Sequence, residues 1–193
     1  MAADRDHSPP STRDELRKRL LEERLLFAAS DAAVKGASAL GRELRAVISK
    51  LEPRCLGLYW PQRAEFNAPA VLGADEGLAK SPLALPFARR APPNMHYRLW
   101  NGKAPTIVDE CRIPASDGAE VVPDVVLVPC VGYTGSGFRL GYGGGFFDRW
   151  LAAHPQVCAV GVAWSAARID EAALAPAPHD VRLTLIVTEN GPV

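Results

Sequence analysis

The sequence predicts an α/β fold in which helices cover both faces of a mostly parallel central sheet, and three observations indicate it. After Pro53, short apolar runs alternate with amphipathic stretches, as in strand–helix units. Several of these runs are apolar at every position, which is typical of strands buried on both faces. A chain of 193 residues that is 48% hydrophobic fits one globular domain. We therefore expect a single three-layer α/β/α domain over residues 12–193, after a polar, flexible tail over residues 1–11.

Two helices are predicted ahead of the first strand. Thr12 is followed three residues later by Glu15, which is the signature of a capping box, so a helix begins there. Arg13 and Arg17 lie one turn apart on a shared face of this helix. Apolar residues at helical spacing predict the second helix across about 31–51.

Strands and shorter helices alternate over the rest of the chain. Apolar runs bounded by Gly and Pro predict strands at 55–60, 83–87, 95–100, 124–128, 156–163 and 183–188. Helical stretches are predicted between them at 68–80, 145–153 and 165–174.

The charge balance excludes several classes of protein. The 22 basic residues equal the 22 acidic ones, which argues against a general nucleic-acid or anionic-membrane binder, because such partners select a large field of one sign. The sequence has neither a run of 18 apolar residues nor the apolar core of a signal peptide, so we expect a cytoplasmic protein. Its four cysteines and four histidines show no zinc-binding spacing.

The segment 137–150 is the strongest functional signal. It places five glycines within nine residues, directly after the predicted strand 124–128 and before an amphipathic helix. Glycines allow backbone amides to approach a ligand closely, and a helix N-terminus attracts anions. Arg139 adds a cation that can reach a phosphate. Asp148, in the first turn of the helix, suits either the helix dipole or a metal ion that bridges phosphates.

Two familiar phosphate-binding patterns do not explain this segment. The Walker pattern is absent from the chain, and the dinucleotide pattern, started at Gly141, meets Phe146 in place of its third glycine. A tight strand-to-helix turn with no ligand is the alternative interpretation.

The same segment resembles the signature of the 5-formyltetrahydrofolate cyclo-ligase (5,10-methenyltetrahydrofolate synthetase) family. Further short matches to that family occur in the same order along nearly the whole chain. They are Arg13-x-x-Leu16-Arg17, Tyr59-Trp60-Pro61 with Glu65 downstream, Leu85-Pro86, Tyr97-Arg98-Leu99-Trp100, Pro178-His179-Asp180 and Thr188-Glu189. The resemblance implies the fold shared with sugar-phosphate isomerases and CoA transferases.

The resemblance also implies an enzyme, a cyclo-ligase that uses ATP and Mg²⁺. It would convert 5-formyltetrahydrofolate to 5,10-methenyltetrahydrofolate, ADP and phosphate, through a phosphorylated formyl group. The implied metal ligands are Asp148 and Asp180, and the folate would lie against Trp60, Glu65 and Trp100. The implied ATP-binding residues are Arg13, Arg17, Arg139, Leu140, Gly141, Tyr142, Gly143, Gly144, Gly145, Phe146 and Phe147. The partners are then small molecules, and we expect a monomer or a weak homo-oligomer that binds neither nucleic acid nor membrane.

Three positions depart from the family pattern. Arg13 stands where the family has lysine, Thr134 where it has aspartate, and the pair Phe146-Phe147 lacks the usual tyrosine. These changes leave open a non-catalytic protein that binds folate or nucleotide on the same fold. A phosphosugar isomerase is a second alternative, although the sequence shows no specific motif for one. Arg13 and Arg17 can also be read as a solvated helix face, and Trp60 and Trp100 as core aromatics.

Overall fold

The computed structural model describes residues 12–73 and 81–193, so the predicted tail at 1–11 and the end of the predicted helix 68–80 lie outside the described residues. The helices are α1 (Arg13–Ala28), α2 (Asp31–Leu51), α3 (Ala68–Leu72), α4 (Phe146–Ala153) and α5 (Glu171–Leu174), with a 3₁₀ turn at Ser165–Ala167. The first strands are β1 (Leu56–Gly57), β2 (Leu83–Arg90), β3 (Pro93–Trp100), β4 (Ile107–Val108), β5 (Pro114–Ala115) and β6 (Glu120–Val121). The remaining strands are β7 (Val125–Pro129), β8 (Gly132–Tyr133), β9 (Arg139–Leu140), β10 (Cys158–Val162), β11 (Leu185–Thr188) and β12 (Gly191–Pro192).

The main sheet contains eight strands in the order β12-β11-β10-β7-β1-β2-β3-β6. Its five central strands, from β11 to β2, are parallel to one another, whereas β12, β3 and β6 pair antiparallel at the two edges. The predicted mostly parallel central sheet is therefore confirmed. Crossover connections bring the carboxyl ends of the parallel strands to one edge, which is where α/β folds bind ligands.

Helices cover both faces of this sheet. The side chains of β7 alternate between the faces because successive residues of a strand point in opposite directions. Val125 and Leu127 pack with α2 and α3, whereas Val126 and Val128 pack with Trp150 of α4. The predicted three-layer arrangement is confirmed by these two separate cores.

Helix α1 covers the carboxyl edge of the sheet rather than one of its faces. The capping box predicted at Thr12 and Glu15 is formed, and it fixes the start of the helix. Leu16 and Leu20 are buried against Val131, which follows β7, and against a third small core that includes residues of β9 and α5. The first helix of the chain is thereby held beside the edge at which a ligand is expected.

Several predicted boundaries are wrong, and pairing with distant segments explains them. The predicted helix 165–174 is split into the 3₁₀ turn and α5, because Arg168 is extended and pairs with Tyr133 of β8. The predicted strand 183–188 begins only at Leu185, since the Leu183 amide donates to the Gly137 carbonyl of the glycine-rich segment. The predicted strand 55–60 enters the sheet ladder only at Leu56–Gly57. No helix among the described residues is long and apolar enough to cross a membrane.

Two buried tyrosines give a matched test of the packing. The Tyr59 hydroxyl donates to the Phe66 carbonyl at 2.8 Å, whereas the buried Tyr97 hydroxyl has no partner within residues 12–73 and 81–193. Tyr59→Phe removes a buried hydrogen bond, so we expect it to lower the free energy of unfolding by about 1 kcal/mol. Tyr97→Phe removes an unsatisfied group, and we expect unchanged or increased stability in urea denaturation. A loss in Tyr97→Phe equal to that in Tyr59→Phe would contradict this packing.

Candidate functional site

One face of α1 carries three arginines that reach three different segments. Arg13, Arg17, Leu20 and Arg24 follow one another at intervals of four, three and four residues, which places them on one side of a helix. Leu20 is buried in the core below this face. The arginines therefore stand in a row along the carboxyl edge of the sheet.

Arg13 fixes the C-terminal segment that follows α5. It donates to the carbonyls of Leu174 and Ala175, both at 3.1 Å, and forms an ion pair with Asp180. Burial raises the pKa of Asp180, but hydrogen bonds from Arg13 and from the Ala177 amide outweigh this effect and hold that pKa below its ordinary value. Arg13, which is predicted to bind ATP, is thus paired with Asp180, which is predicted to bind the metal ion.

Arg17 contacts the glycine loop, which we define as residues 141–145. Its Nε donates to the Gly141 carbonyl at 2.7 Å, and its guanidinium also pairs with Asp14. Gly143 and Gly145 have φ values of 89° and 61°, a left-handed backbone that favours glycine. The loop ends at α4, whose N-cap residue is Gly145 and therefore has no side chain to cap the helix. The first N–H groups of a helix have no partner within the helix, so those of α4 are available at the end of the loop, as an anion site requires.

A second ion pair joins Arg139, which is predicted to bind ATP, to Asp148, which is predicted to bind the metal ion. The Arg139 side chain is 4% exposed and donates to Asp148 Oδ1 at 2.8 Å and to the Val181 carbonyl at 3.0 Å. Asp148 Oδ1 also accepts the Val181 amide at 3.1 Å. Both Asp180 and Asp148 raise the pKa of Arg13, with Asp180 the stronger influence. These three groups and Arg139, the partner of Asp148, therefore lie close together.

The acidic residues of the site suit a magnesium ion that enters bound to ATP. They are less suited to a metal ion held by protein ligands alone. In the part of the chain that the structure describes, no three acidic, histidine or cysteine residues are arranged to hold a metal. Mg²⁺ in nucleotide sites needs only one or two carboxylates besides the phosphates. The Asp148 side chain is 21% exposed, and its described hydrogen bonds all reach Oδ1. Asp148 therefore fits this role, whereas both oxygens of Asp180 accept from Arg13.

Glu65 lies in a hydrogen-bond network with Arg24, which is buried, and with Tyr142, which is partly exposed. The Tyr142 hydroxyl donates to Glu65 Oε1 at 2.6 Å, and the Gln62 amide donates to Oε2 at 2.7 Å. Arg24 donates to the Tyr142 oxygen at 2.9 Å and to the Cys130 carbonyl at 2.7 Å. The side chains of Arg24 and Glu65 are each 4% exposed, and their charged groups are 3.7 Å apart. Burial raises the pKa of Glu65 above its ordinary value, against these hydrogen bonds.

Glu65 also lines an open cleft of about 680 Å³ between α2, α3 and the loop before α3. Phe66 and Trp164 contribute aromatic surface to this cleft, and Arg42 and Arg45 of α2 contribute positive charge. A volume in this range suits a small organic ligand. The cleft and the glycine loop thus meet at the hydrogen bond between Glu65 and Tyr142.

The structure does not bring the predicted folate residues Trp60 and Trp100 to this cleft. The two rings pack edge to face with centroids 6.2 Å apart, and the Trp100 indole donates to the Lys103 carbonyl. Trp100 instead lines a second depression of about 420 Å³ near Leu99 and Ser116. Leu140, a predicted ATP residue, is buried in the core beneath α1. Ligand contacts of Trp60, Trp100 and Leu140 stay predictions from the sequence.

Comparison with known proteins identifies the family. The model of the 5-formyltetrahydrofolate cyclo-ligase family matches residues 10–189. The chain belongs to that family. A 5-formyltetrahydrofolate cyclo-ligase of Mycolicibacterium smegmatis is 44% identical over 70 residues, which cover 34% of this chain and 33% of the relative. This match thus spans about a third of that relative's length.

Two solved structures share the fold of this cyclo-ligase family member. A 5,10-methenyltetrahydrofolate synthetase from Mycoplasma pneumoniae superposes with a TM-score of 0.71 at 22% identity, over 93% of this chain and 99% of the other. The corresponding synthetase from Aquifex aeolicus gives a TM-score of 0.74 at 24% identity, over 93% and 91% of the two chains. These similarities confirm the fold predicted from the sequence.

Arg24 and the role of Thr134 were not predicted from the sequence of this cyclo-ligase family member. The helical spacing from Arg13 through Arg17 and Leu20 would have placed Arg24 on the same face. Thr134, which replaces an acidic residue of the family pattern, is buried, and its hydroxyl accepts the Phe138 amide at 3.2 Å. The Thr134 side chain and backbone therefore both take part in a turn at the start of the glycine-rich segment.

Alanine variants at two glycines of the loop distinguish an effect on protein stability from an effect on ligand binding. A Cβ on Gly143 would require a left-handed backbone, and it would lie 3.5 Å from the Arg17 guanidinium carbon. We expect Gly143→Ala to destabilise the protein by about 1–2 kcal/mol. A Cβ on Gly141 meets no atom within 4 Å, so Gly141→Ala should keep the wild-type melting temperature.

Thermal unfolding and titration with an ATP analogue check this pair of variants. We expect Gly141→Ala to bind the analogue more weakly, because its methyl group occupies space at the loop surface. Wild-type affinity in a folded Gly141→Ala would show that the nucleotide does not approach this part of the loop.

Proposed function

We propose that this protein catalyses the ATP-dependent closure of 5-formyltetrahydrofolate to 5,10-methenyltetrahydrofolate, with release of ADP and phosphate. One observation supports this activity above the others. The glycine loop, which suits phosphates, and the cleft, which suits an aromatic ligand with hydrogen-bond donors, meet at the contact of Tyr142 with Glu65. Transfer of a phosphoryl group between two substrates requires such neighbouring sites.

The nucleotide would bind along the glycine loop. Backbone amides of the loop and the first turn of α4 would contact the phosphate oxygens. Arg17 and Arg139 lie along this segment, and each guanidinium has five N–H donors, more than their described hydrogen bonds use. Asp148 would hold the magnesium ion, with Asp180 as the further ligand expected from the sequence. Mg²⁺, when bound, neutralises charge on the phosphate oxygens.

The reduced folate would occupy the cleft. The Glu65 carboxylate has lone pairs beyond those that accept from Tyr142 and Gln62, so it can also accept N–H groups of the pterin. Phe66 and Trp164 would pack against the ring systems. Arg42 lies on the same cleft and would face the carboxylates of the glutamate tail.

The proposed reaction has two steps. The formyl oxygen attacks the γ-phosphorus of ATP, and the bond to ADP breaks. Nitrogen 10 then attacks the activated formyl carbon, loses its proton, and phosphate leaves with the former formyl oxygen. Both steps depend mainly on positioning and on charge stabilisation of the phosphate groups, which are the contributions that this site can make. The cytoplasmic location stays a prediction from the sequence.

Formation of the methenyl chromophore tests the proposal. The purified protein, given 5-formyltetrahydrofolate, ATP and Mg²⁺, should develop the absorbance of 5,10-methenyltetrahydrofolate, with one ADP formed for each product molecule. Binding of both ligands with no product would favour the non-catalytic alternative. The observation that favours this alternative is that Arg13 and Arg139 are already paired with Asp180 and Asp148. Product formed without ATP would contradict the phosphorylation step.

Glu65→Gln and the matched change Glu120→Gln extend this test to the folate side. We expect Glu65→Gln to weaken folate binding about tenfold or more, because a hydrogen bond to a charged group is lost. Glu120 lies on the edge strand β6, and its change should have no effect.

The same variants can be compared across pH. The pKa of Glu65 is raised above the ordinary value of 4.5, so wild-type folate affinity should begin to fall at a higher pH than for an ordinary glutamate as the medium is acidified. Glu65→Gln should lack this decline. Equal pH profiles in the two proteins would remove Glu65 from the folate site.

A further inference from the structure

The network of Arg24, Tyr142 and Glu65 joins three segments that are distant in the sequence. Arg24 comes from α1, Tyr142 from the glycine loop and Glu65 from the loop before α3. An arginine has only donors, so its N–H groups donate to the Tyr142 oxygen, and the Tyr142 hydroxyl proton is directed to Glu65. Burial, followed by the nearby Glu65 charge, raises the pKa of Tyr142, so this hydroxyl stays protonated. The hydrogen bonds therefore run in one direction, from the helix through the glycine loop to the cleft.

The loop that carries Glu65 depends on contacts to its carboxylate. Arg63 and Ala64 have φ values of 46° and 59°, a left-handed backbone that is unfavourable for residues other than glycine. The Glu65 carboxylate accepts the backbone amide of Gln62 within the same loop, and it accepts the Tyr142 hydroxyl of the glycine loop. A change in the position of Tyr142 therefore acts directly on the geometry of the cleft wall.

The glycine loop has more backbone freedom to lose on ligand binding than its partners in this contact. Four of its five residues are glycines, which have the largest conformational freedom of any residue. A nucleotide that binds the loop fixes its backbone and with it the Tyr142 hydroxyl. A second ligand that uses Glu65 then meets a cleft that has already been ordered, and the two ligands bind with positive cooperativity.

We infer that the Tyr142 hydroxyl, positioned by Arg24, couples the nucleotide loop to the folate cleft, so that each ligand raises the affinity for the other. This inference rests on the proposed function, because it requires both ligands at this site. Arg24 is a positioning residue in this scheme, since it acts through Tyr142. Linkage requires the same coupling factor in both directions.

Calorimetric titration measures the coupling factor. The dissociation constant of 5-formyltetrahydrofolate is determined with and without the magnesium complex of a non-hydrolysable ATP analogue, and the reciprocal titration is performed as well. We expect the analogue to tighten folate binding about fivefold or more in the wild type. Tyr142→Phe, which keeps the ring and removes the hydroxyl, should bring this factor close to one.

Further variants separate coupling from general damage. Tyr97→Phe makes the same chemical change at a buried hydroxyl without a described partner, and it should keep the wild-type factor. Arg24→Met should lose the factor and Arg24→Lys should recover part of it, because lysine retains the charge and a donor. Arg24 is buried, so the Tyr142→Phe result decides if the Arg24 variants fail to fold.

The outcomes distinguish the coupling from the reaction. A wild-type factor of one, or an unchanged factor in Tyr142→Phe, would overturn the coupling even if the wild type forms product. A wild type that binds neither ligand would overturn both the coupling and the proposed function. Product formation together with a factor that depends on the Tyr142 hydroxyl supports both.

Discussion

Helix α1 lies across the carboxyl edge of the sheet, and the candidate site depends on the contacts of its inner face. Leu16 and Leu20 bury the helix against the residues that follow β7. That anchoring allows Arg13 to hold the segment after α5, Arg17 to hold the glycine loop, and Arg24 to hold Tyr142. A rotation of α1 by one residue would turn all three arginines away, so the core beneath the helix also fixes the geometry above it.

Charge pairing explains how a protein with no net charge can present a site for polyanions. Buried charges are stable in a fold only when they are paired and hydrogen-bonded. Arg13 with Asp180, Arg139 with Asp148, and Arg24 with Glu65 satisfy this condition in the described structure. Arg17 and Arg139 have more N–H donors than their described hydrogen bonds use, and both lie along the segment proposed to bind phosphate. In the proposed function, local donors and loop amides, rather than a broad positive surface, would supply the attraction for ATP.

The sequence predicted the parts of this fold that depend on local pattern. The capping box at Thr12 and the periodicity over 31–51 placed the first two helices correctly, because those signals involve neighbours along the chain. The split of the predicted helix 165–174 depends on pairing with Tyr133, more than 30 residues earlier. The site shows the same division. The glycine loop was evident from composition, whereas Arg24 was missed because its partners Cys130 and Tyr142 lie 106 and 118 residues away.

In the proposed function, the glycine loop and the cleft are two halves of one site that meet at Tyr142 and Glu65. A crystal structure with both 5-formyltetrahydrofolate and a magnesium-bound ATP analogue tests it most directly. We expect the terminal phosphate on the glycine loop, the pterin against Glu65, and the formyl oxygen within about 3.5 Å of the γ-phosphorus. A folate bound away from Glu65, or out of contact with the nucleotide phosphates, would contradict it.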